Sequence, residues 1–337
     1  MHASVRTLLT GIVDYAGLFP PAQLDLAPAV QNYAKFRTGS EAWMLGRFVC
    51  PTSRFAALLE FRDTIRNPDS PFRISAIGRS GESAEALIAG ISADLDDMKR
   101  LRDGSGGGAV IDAYEVKLPA AVVKSRDGIA LRKLLDQIGE RFDSAGFDRC
   151  QRFYEASLLD PWREHIRTVI AGIARHNHKI MPHLDAELRV DRTPPKLPDG
   201  LKLRTGGVTA DAFPSTEQVA YIIQQCLDAH VPMKFTAGLH HPLRRFDPGV
   251  RTMMHGFLNI FAAVTLAHAA LLDFHDILAV VEELDAKNFE FSDEFVCWND
   301  ASATIDEIQY ARAERGLSFG SCSFDEPCDD LRAMRLL

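Results

Sequence analysis

A chain of 337 residues that is 46% hydrophobic and 25% charged is long enough for a large core and ordinary for a soluble globular protein. The net charge of −8, with no long Lys/Arg run, argues against nucleic acid as a partner. Six cysteines without a CxxC pair, and residues 1–11 without an apolar signal core, point to reduced thiols in a cytoplasmic protein.

In chain order, residues 12–19 form a short apolar run ending at Pro20-Pro21, followed by a helical stretch over 26–37. Residues 43–50 read as a strand stopped by Pro51, with a helix over 54–65. The strand at 72–78 precedes a helix over 84–101 and a glycine-rich loop at 104–108. The strand at 110–118 closes at Pro119. After another helix come the strand at 150–157 and a helix over 161–175. Two lysine-bearing segments follow, Leu201-Lys202-Leu203-Arg204-Thr205-Gly206-Gly207 and Met233-Lys234-Phe235-Thr236-Ala237-Gly238, with a helix-like stretch between them. Residues 317–324 complete eight strand candidates. Apolar strands alternating with helices predict a parallel sheet, and eight of them predict a single (β/α)8 TIM barrel over residues 1–337. Residues 176–200, rich in proline and charge, break the rhythm. So do residues 243–315, which are expected to form a helical insertion or interface lobe before the last strand. The apolar run at 257–272 contains Asn259 and His268. It suits a buried helix or a homo-oligomer interface better than a membrane span, so no membrane partner is expected.

Barrel strands point alternate residues inward, and reactive groups gather at their C-terminal ends. Alternation puts Glu115 with Lys117, Phe153 with Glu155 and Ser157, Lys202 with Arg204, and Lys234 with Thr236. The mouth then holds four cations and two carboxylates. Buried charges must pair or bind something, and the surplus is cationic, so a small anionic metabolite is the expected ligand. Any one of these residues is as readily a rim ion pair. Six at alternating positions on four strands predict an active site.

These motifs resemble, in order, those of the deoxyribose-phosphate aldolase branch of class I aldolases. The family's Schiff-base strand, Lys-x-Ser/Thr-Thr-Gly, is similar to Lys202-Leu203-Arg204-Thr205-Gly206. Its second lysine strand is similar to Lys234-Phe235-Thr236-Ala237-Gly238. The phosphate-holding Phe-Gly-x-Ser-Ser end resembles Phe319-Gly320-Ser321-Cys322-Ser323. The early Asp-Leu-Thr strand resembles Val13-Asp14-Tyr15, and the Glu-Val-Asp strand resembles Glu115-Val116-Lys117. Lys117 stands where the family has a proton-relay aspartate, Arg204 replaces a small hydroxyl residue, and Leu239-His240-His241-Pro242 replaces a Gly-Gly turn. The resemblance implies a lyase with Lys202 as the imine-forming nucleophile and Lys234 as the tuning cation, without a cofactor or metal.

Residue chemistry is compatible with that role. Lys234, Arg204 and Lys117 are expected to lower the Lys202 pKa, freeing its amine to form an imine. Glu155 or Glu115 is expected to shuttle the proton, with Asp14 as a further candidate. Backbone N–H groups of Gly206, Gly207, Gly320 and Ser321 are expected to hold a phosphate or carboxylate. Thr236, Gly238 and Ser323 belong to the same turns, and His240 or His241 suits a substrate contact. Three other readings fit some residues. His176-Asn177-His178, His183, His240 and His241 supply imidazoles for a metal-dependent hydrolase, although His-x-His would lie beyond a helix in an irregular stretch. The Arg-Thr-Gly-Gly turn suits phosphoribosyl transfer, and a non-catalytic barrel could simply bind an anionic metabolite. Cys322 reads as a small packed residue.

Overall fold

The apolar runs fold as eight strands interleaved with helices in a computed structural model, which describes residues 1–66, 70–180 and 196–337. The first seven strands are β1 (Val13–Tyr15), β2 (Leu45–Pro51), β3 (Phe72–Ile77), β4 (Ala109–Lys117), β5 (Gln151–Glu155), β6 (Gly200–Arg204) and β7 (Met233–Thr236). Five short strands follow, β8 (Arg245–Asp247), β9 (Thr252–Met254), β10 (Phe289–Phe291), β11 (Phe295–Trp298) and β12 (Ala301–Thr304). β13 (Gly316–Ser321) ends the series. β1 to β7 and β13 form a closed parallel barrel in the order β1-β13-β7-β6-β5-β4-β3-β2. The TIM-barrel expectation therefore holds.

Helix periodicity explains the outer layer. Ile166, Val169, Ile170 and Ile173 are buried along helix Trp162–Ile180, at the spacing that puts one face on the barrel. The same stripe continues to His176 and Asn177, both buried. The helix therefore runs past Arg175, which corrects the expectation of an irregular stretch at His176-Asn177-His178. His183 lies outside the described residues.

Residues 243–315 hold three α-helices, Phe257–Ala270, Phe274–Glu282 and Ile305–Glu314, together with the β8–β9 ladder and the three-stranded β10-β11-β12 sheet. The sheets were not expected, because strands of three or four residues carry almost no periodic signal. Helix Phe257–Ala270 is nearly all buried. Phe257 stacks on Phe319 at 5.1 Å between ring centroids, and Phe261 meets Phe235 edge-on at 5.4 Å. Asn259 is tolerated there because its Nδ2 donates to the carbonyls of Val280 (2.9 Å) and Glu283 (2.8 Å). Among the described residues no helix is long and apolar enough to cross a membrane. All six cysteines are free thiols.

Candidate active site

Backbone register assembles the site. Lys117, Glu155, Lys202, Lys234 and Ser318 are successive Cα partners across β4, β5, β6, β7 and β13. Paired residues point to the same face of a parallel sheet, and strands tilt in a barrel, so this row descends from rim to core. Lys117 is exposed, Lys202 is 8% exposed and Lys234 is 0% exposed.

The two lysines share one carboxylate. Lys202 Nζ lies 2.9 Å from Glu115 Oε2 and 3.1 Å from Glu155 Oε2. Lys234 Nζ lies 3.4 Å from Glu115 Oε1, donates to Ser318 Oγ at 3.2 Å and pairs with Asp14 Oδ2. Asp14 also accepts from Ser318 Oγ at 2.8 Å and from the Arg47 backbone N–H at 2.6 Å. Ser75 Oγ donates to Glu115. The deep layer thus places two ammoniums among three carboxylates. This corrects the expected cationic surplus, which instead stands at the rim on Lys117 and Arg204. Neither rim residue has a carboxylate within salt-bridge distance among the described residues.

Protonation follows from this geometry. Burial favours the neutral acid in Glu115, but Lys202 and then Lys234 outweigh it and hold the pKa down at about 2. Asp14 is likewise lowered, with burial opposing and Lys234 and Arg47 prevailing. Burial alone would lower the Lys202 pKa, yet Glu115 and Glu155 raise it above the ordinary lysine value. This reverses the expectation that neighbouring cations lower it: the nearest groups are carboxylates.

A cavity of about 370 Å3 opens above Lys202 at the C-terminal strand ends, where barrel proteins carry their chemistry. Of the residues singled out from sequence, Glu115, Lys117, Glu155, Lys202, Arg204, Gly207, Thr236, Gly238, His240 and Gly320 line it, while Lys234 and Asp14 lie beneath. Phe19, Pro20, Pro21, Val49 and Ile77 add apolar wall. The remaining residues have other surroundings. Thr205 is fully buried, its hydroxyl donating to the carbonyls of Thr236 (3.1 Å) and Ala237 (2.6 Å). Ser321 Oγ accepts from the Ser323 N–H at 3.4 Å, and Ser323 Oγ from the Glu326 N–H at 3.1 Å, so both serve the turn into helix Asp325–Ala333. Cys322 is buried against the cavity, and burial raises its pKa. The residues missed were Arg47, Ser75 and Ser318. Alternation could have found the two serines, since Ser318 shares a face with Gly320 and Ser75 with Ile77.

Gly206 packs against Gly238. A Cβ on Gly206 would stand 2.9 Å from the Gly238 Cα and 2.5 Å from the Phe213 ring, and Gly238 has φ +72. Gly206→Ala is therefore expected to cost about 1–3 kcal/mol of stability through overpacking. A lowered urea midpoint with an unchanged slope would register it.

The histidines are dispersed. His240 Nδ1 lies 3.0 Å from Glu326 Oε2, and His241 Nδ1 lies 2.5 Å from Asp330 Oδ2. His241 faces a neighbouring chamber. Among the described residues no group of three or more His, Cys, Asp or Glu is arranged around a common metal position. His176 belongs to a separate buried network, with Nδ1 2.8 Å from Asp136 and Nε2 3.3 Å from Asp199. Burial opposes its protonation, but Asp199 and then Asp136 prevail and raise its pKa. Folding thus favours the protonated form. Its contribution is complete below the unfolded value of about 6.5 and is lost as pH rises through the higher folded value. Unfolding free energy measured across pH 6–9 is expected to fall more in the parent than in His176→Gln.

Fold and site together define a (β/α)8 barrel protein with a lysine–carboxylate centre at its strand ends. No family model matches the chain, and no curated protein matches it. Solved structures do match. One, described as "QR15, an Aldolase", aligns at 10% sequence identity with a TM-score of 0.41, covering 68% of this chain and 80% of that one.

Proposed function

We propose that the protein is a carbon–carbon lyase of the class I aldolase type, acting on a small anionic carbonyl compound through an imine on Lys202. One observation carries this reading. Lys202 presents its amine at the cavity floor between two carboxylates, one of them shared with the buried Lys234. Structural lysines seldom occupy such a place, because a buried ammonium is costly.

The amine must lose a proton before it attacks. Glu115, held at about 2 by Lys202 and Lys234, is a poor acceptor, which leaves Glu155 at 3.1 Å. Substrate entry expels water from the cavity and favours the neutral amine–acid pair over two ions. The Glu155 acid then supplies the proton needed to expel water from the carbinolamine. The protonated imine accepts the electron pair of the breaking C–C bond. Lys234 acts by occupying the second oxygen of Glu115, which loosens that carboxylate's hold on Lys202. Lys117 and Arg204 at the rim, with the backbone of Gly207 and Gly320, suit a carboxylate or phosphate. Placing the nucleophile on β6 and a second lysine on β7 follows the deoxyribose-phosphate aldolase pattern.

Borohydride added with a panel of small aldehydes and 2-oxo acids is expected to leave a reduced adduct on Lys202, located by peptide mass mapping. Absence of an adduct on any lysine across the panel would sink the imine mechanism.

A further inference from the structure

A second chamber of about 340 Å3 lies beside the first, and the two share Pro21, Gly207, Val208, His240 and Cys322 as common wall. The two differ in charge. In the first, Lys202 is paired with Glu115 and Glu155, which leaves Lys117 and Arg204 as rim cations without a carboxylate partner among the described residues. The second has no lysine or arginine in its wall and carries Asp247 and Glu326 beside His240 and His241. An anionic group is thus drawn to the first chamber and repelled from the second. His240 stands at the junction, its side chain largely buried. Its Nδ1 lies 3.0 Å from Glu326 Oε2. A carboxylate accepts only from N–H, so Glu326 fixes the proton on Nδ1 of the neutral ring and leaves Nε2 with a lone pair. Among the described residues Nε2 has no hydrogen-bond partner, so it is free to meet a group in the cavity. A general base oriented by a carboxylate on its far nitrogen needs this arrangement.

We propose that the second chamber receives an uncharged, hydroxyl-bearing aldehyde fragment and that His240 is the acid–base residue for that fragment's hydroxyl, with Glu326 as its positioning residue. The proposal rests on the lysine-imine reading. In cleavage, His240 Nε2 takes the hydroxyl proton and the O–H electrons become the new C=O bond. The C–C bond breaks and its electron pair neutralises the imine nitrogen, giving an enamine on Lys202 and a free aldehyde. The enamine is then protonated on carbon and hydrolysed by water, while the imidazolium returns its proton to solvent. In condensation the imidazolium donates the proton to the new alkoxide.

The full-length protein is tested with pyruvate as donor and either D-glyceraldehyde or glyceraldehyde 3-phosphate as acceptor. Lys202 trapping by borohydride and deuterium wash-in at the pyruvate methyl report donor chemistry, and product formation reports condensation. His240→Gln is expected to keep both donor readouts while condensation falls on the order of 10² to 10³-fold. Glu326→Gln is expected to show a smaller loss confined to the same step, a split that general damage to the fold would not give. The neutral acceptor should be preferred to the phosphorylated one. Normal condensation in His240→Gln, or preference for the phosphorylated acceptor, overturns the proposal while the lysine-imine reading stands. A parent protein that gives no Lys202 adduct overturns both.

Discussion

Lys202→Arg is expected to abolish borohydride trapping and to lower turnover, on the substrate that the carbonyl panel identifies, on the order of 10⁴ to 10⁶-fold, the scale on which loss of a covalent nucleophile is felt. Arginine is the informative replacement. It keeps a cation between Glu115 and Glu155, which now hold Lys202 at 2.9 and 3.1 Å, but its guanidinium stays protonated and cannot attack a carbonyl. Thermal stability should therefore change little while chemistry disappears. Lys202→Met removes the cation as well and leaves Glu155 without its ion pair. It should show the same catalytic loss together with a lower melting temperature. If Lys202→Arg retains trapping at another lysine, the nucleophile has been misassigned. Retained turnover would mean that the cation binds substrate and forms no bond to it.

Lys234→Met should instead act first on the fold. Lys234 and Asp14 are both fully buried, and the ammonium is the main group holding Asp14 ionised. Removing one partner of such a pair leaves an uncompensated charge and costs about 3–5 kcal/mol. With an unfolding entropy of about 2.1 cal/mol/K per residue, a barrel of 337 residues shifts by roughly 1.4 °C per kcal/mol, so a fall of about 4–7 °C is expected. Asp14→Asn in the same chain removes the stranded charge. Its amide oxygen can still accept from the Arg47 N–H, which Asp14 Oδ1 holds at 2.6 Å, and its NH2, in the place of Oδ2, can donate to Ser318 Oγ, now 2.8 Å away. The double variant should recover much of the loss, and a double-mutant cycle by chemical denaturation would read the coupling. Additive losses would mean that the two side chains do not stabilise each other.

Much of this architecture was legible because local chemistry dictates it. Pro51 and Pro119 punctuate strands, and alternation along β4, β5, β6 and β7 put Glu115, Glu155, Lys202 and Lys234 on the inner face. Partner choice was not legible. That Lys202 meets carboxylates and not cations depends on Glu115 reaching from β4 across the barrel, a contact 87 residues distant (202 − 115) with no local signature. Asp14 was undervalued for a similar reason. Its strand has three residues, too few to show alternation, and its partners come from β2, β7 and β13. His176 was placed in a loop because the apolar stripe of its helix becomes polar there. Helical spacing still carries it inward from Ile173, where Asp136 and Asp199 accommodate a polar ring.

The clasp between the ends of β6 and β7 has a consequence for the range of compounds the barrel can admit. Thr205 bonds to two carbonyls of the neighbouring strand end, and Gly206 rests against Gly238. Backbone therefore sets the gap on that side of the cavity, and no rotamer change can widen it. Phe19 and Pro21 on one flank and Val208 on the other are side chains on connecting segments, free to vary without disturbing the ladder. Engineering for bulkier ligands should begin with Phe19→Ala and Val208→Ala and leave the clasp intact.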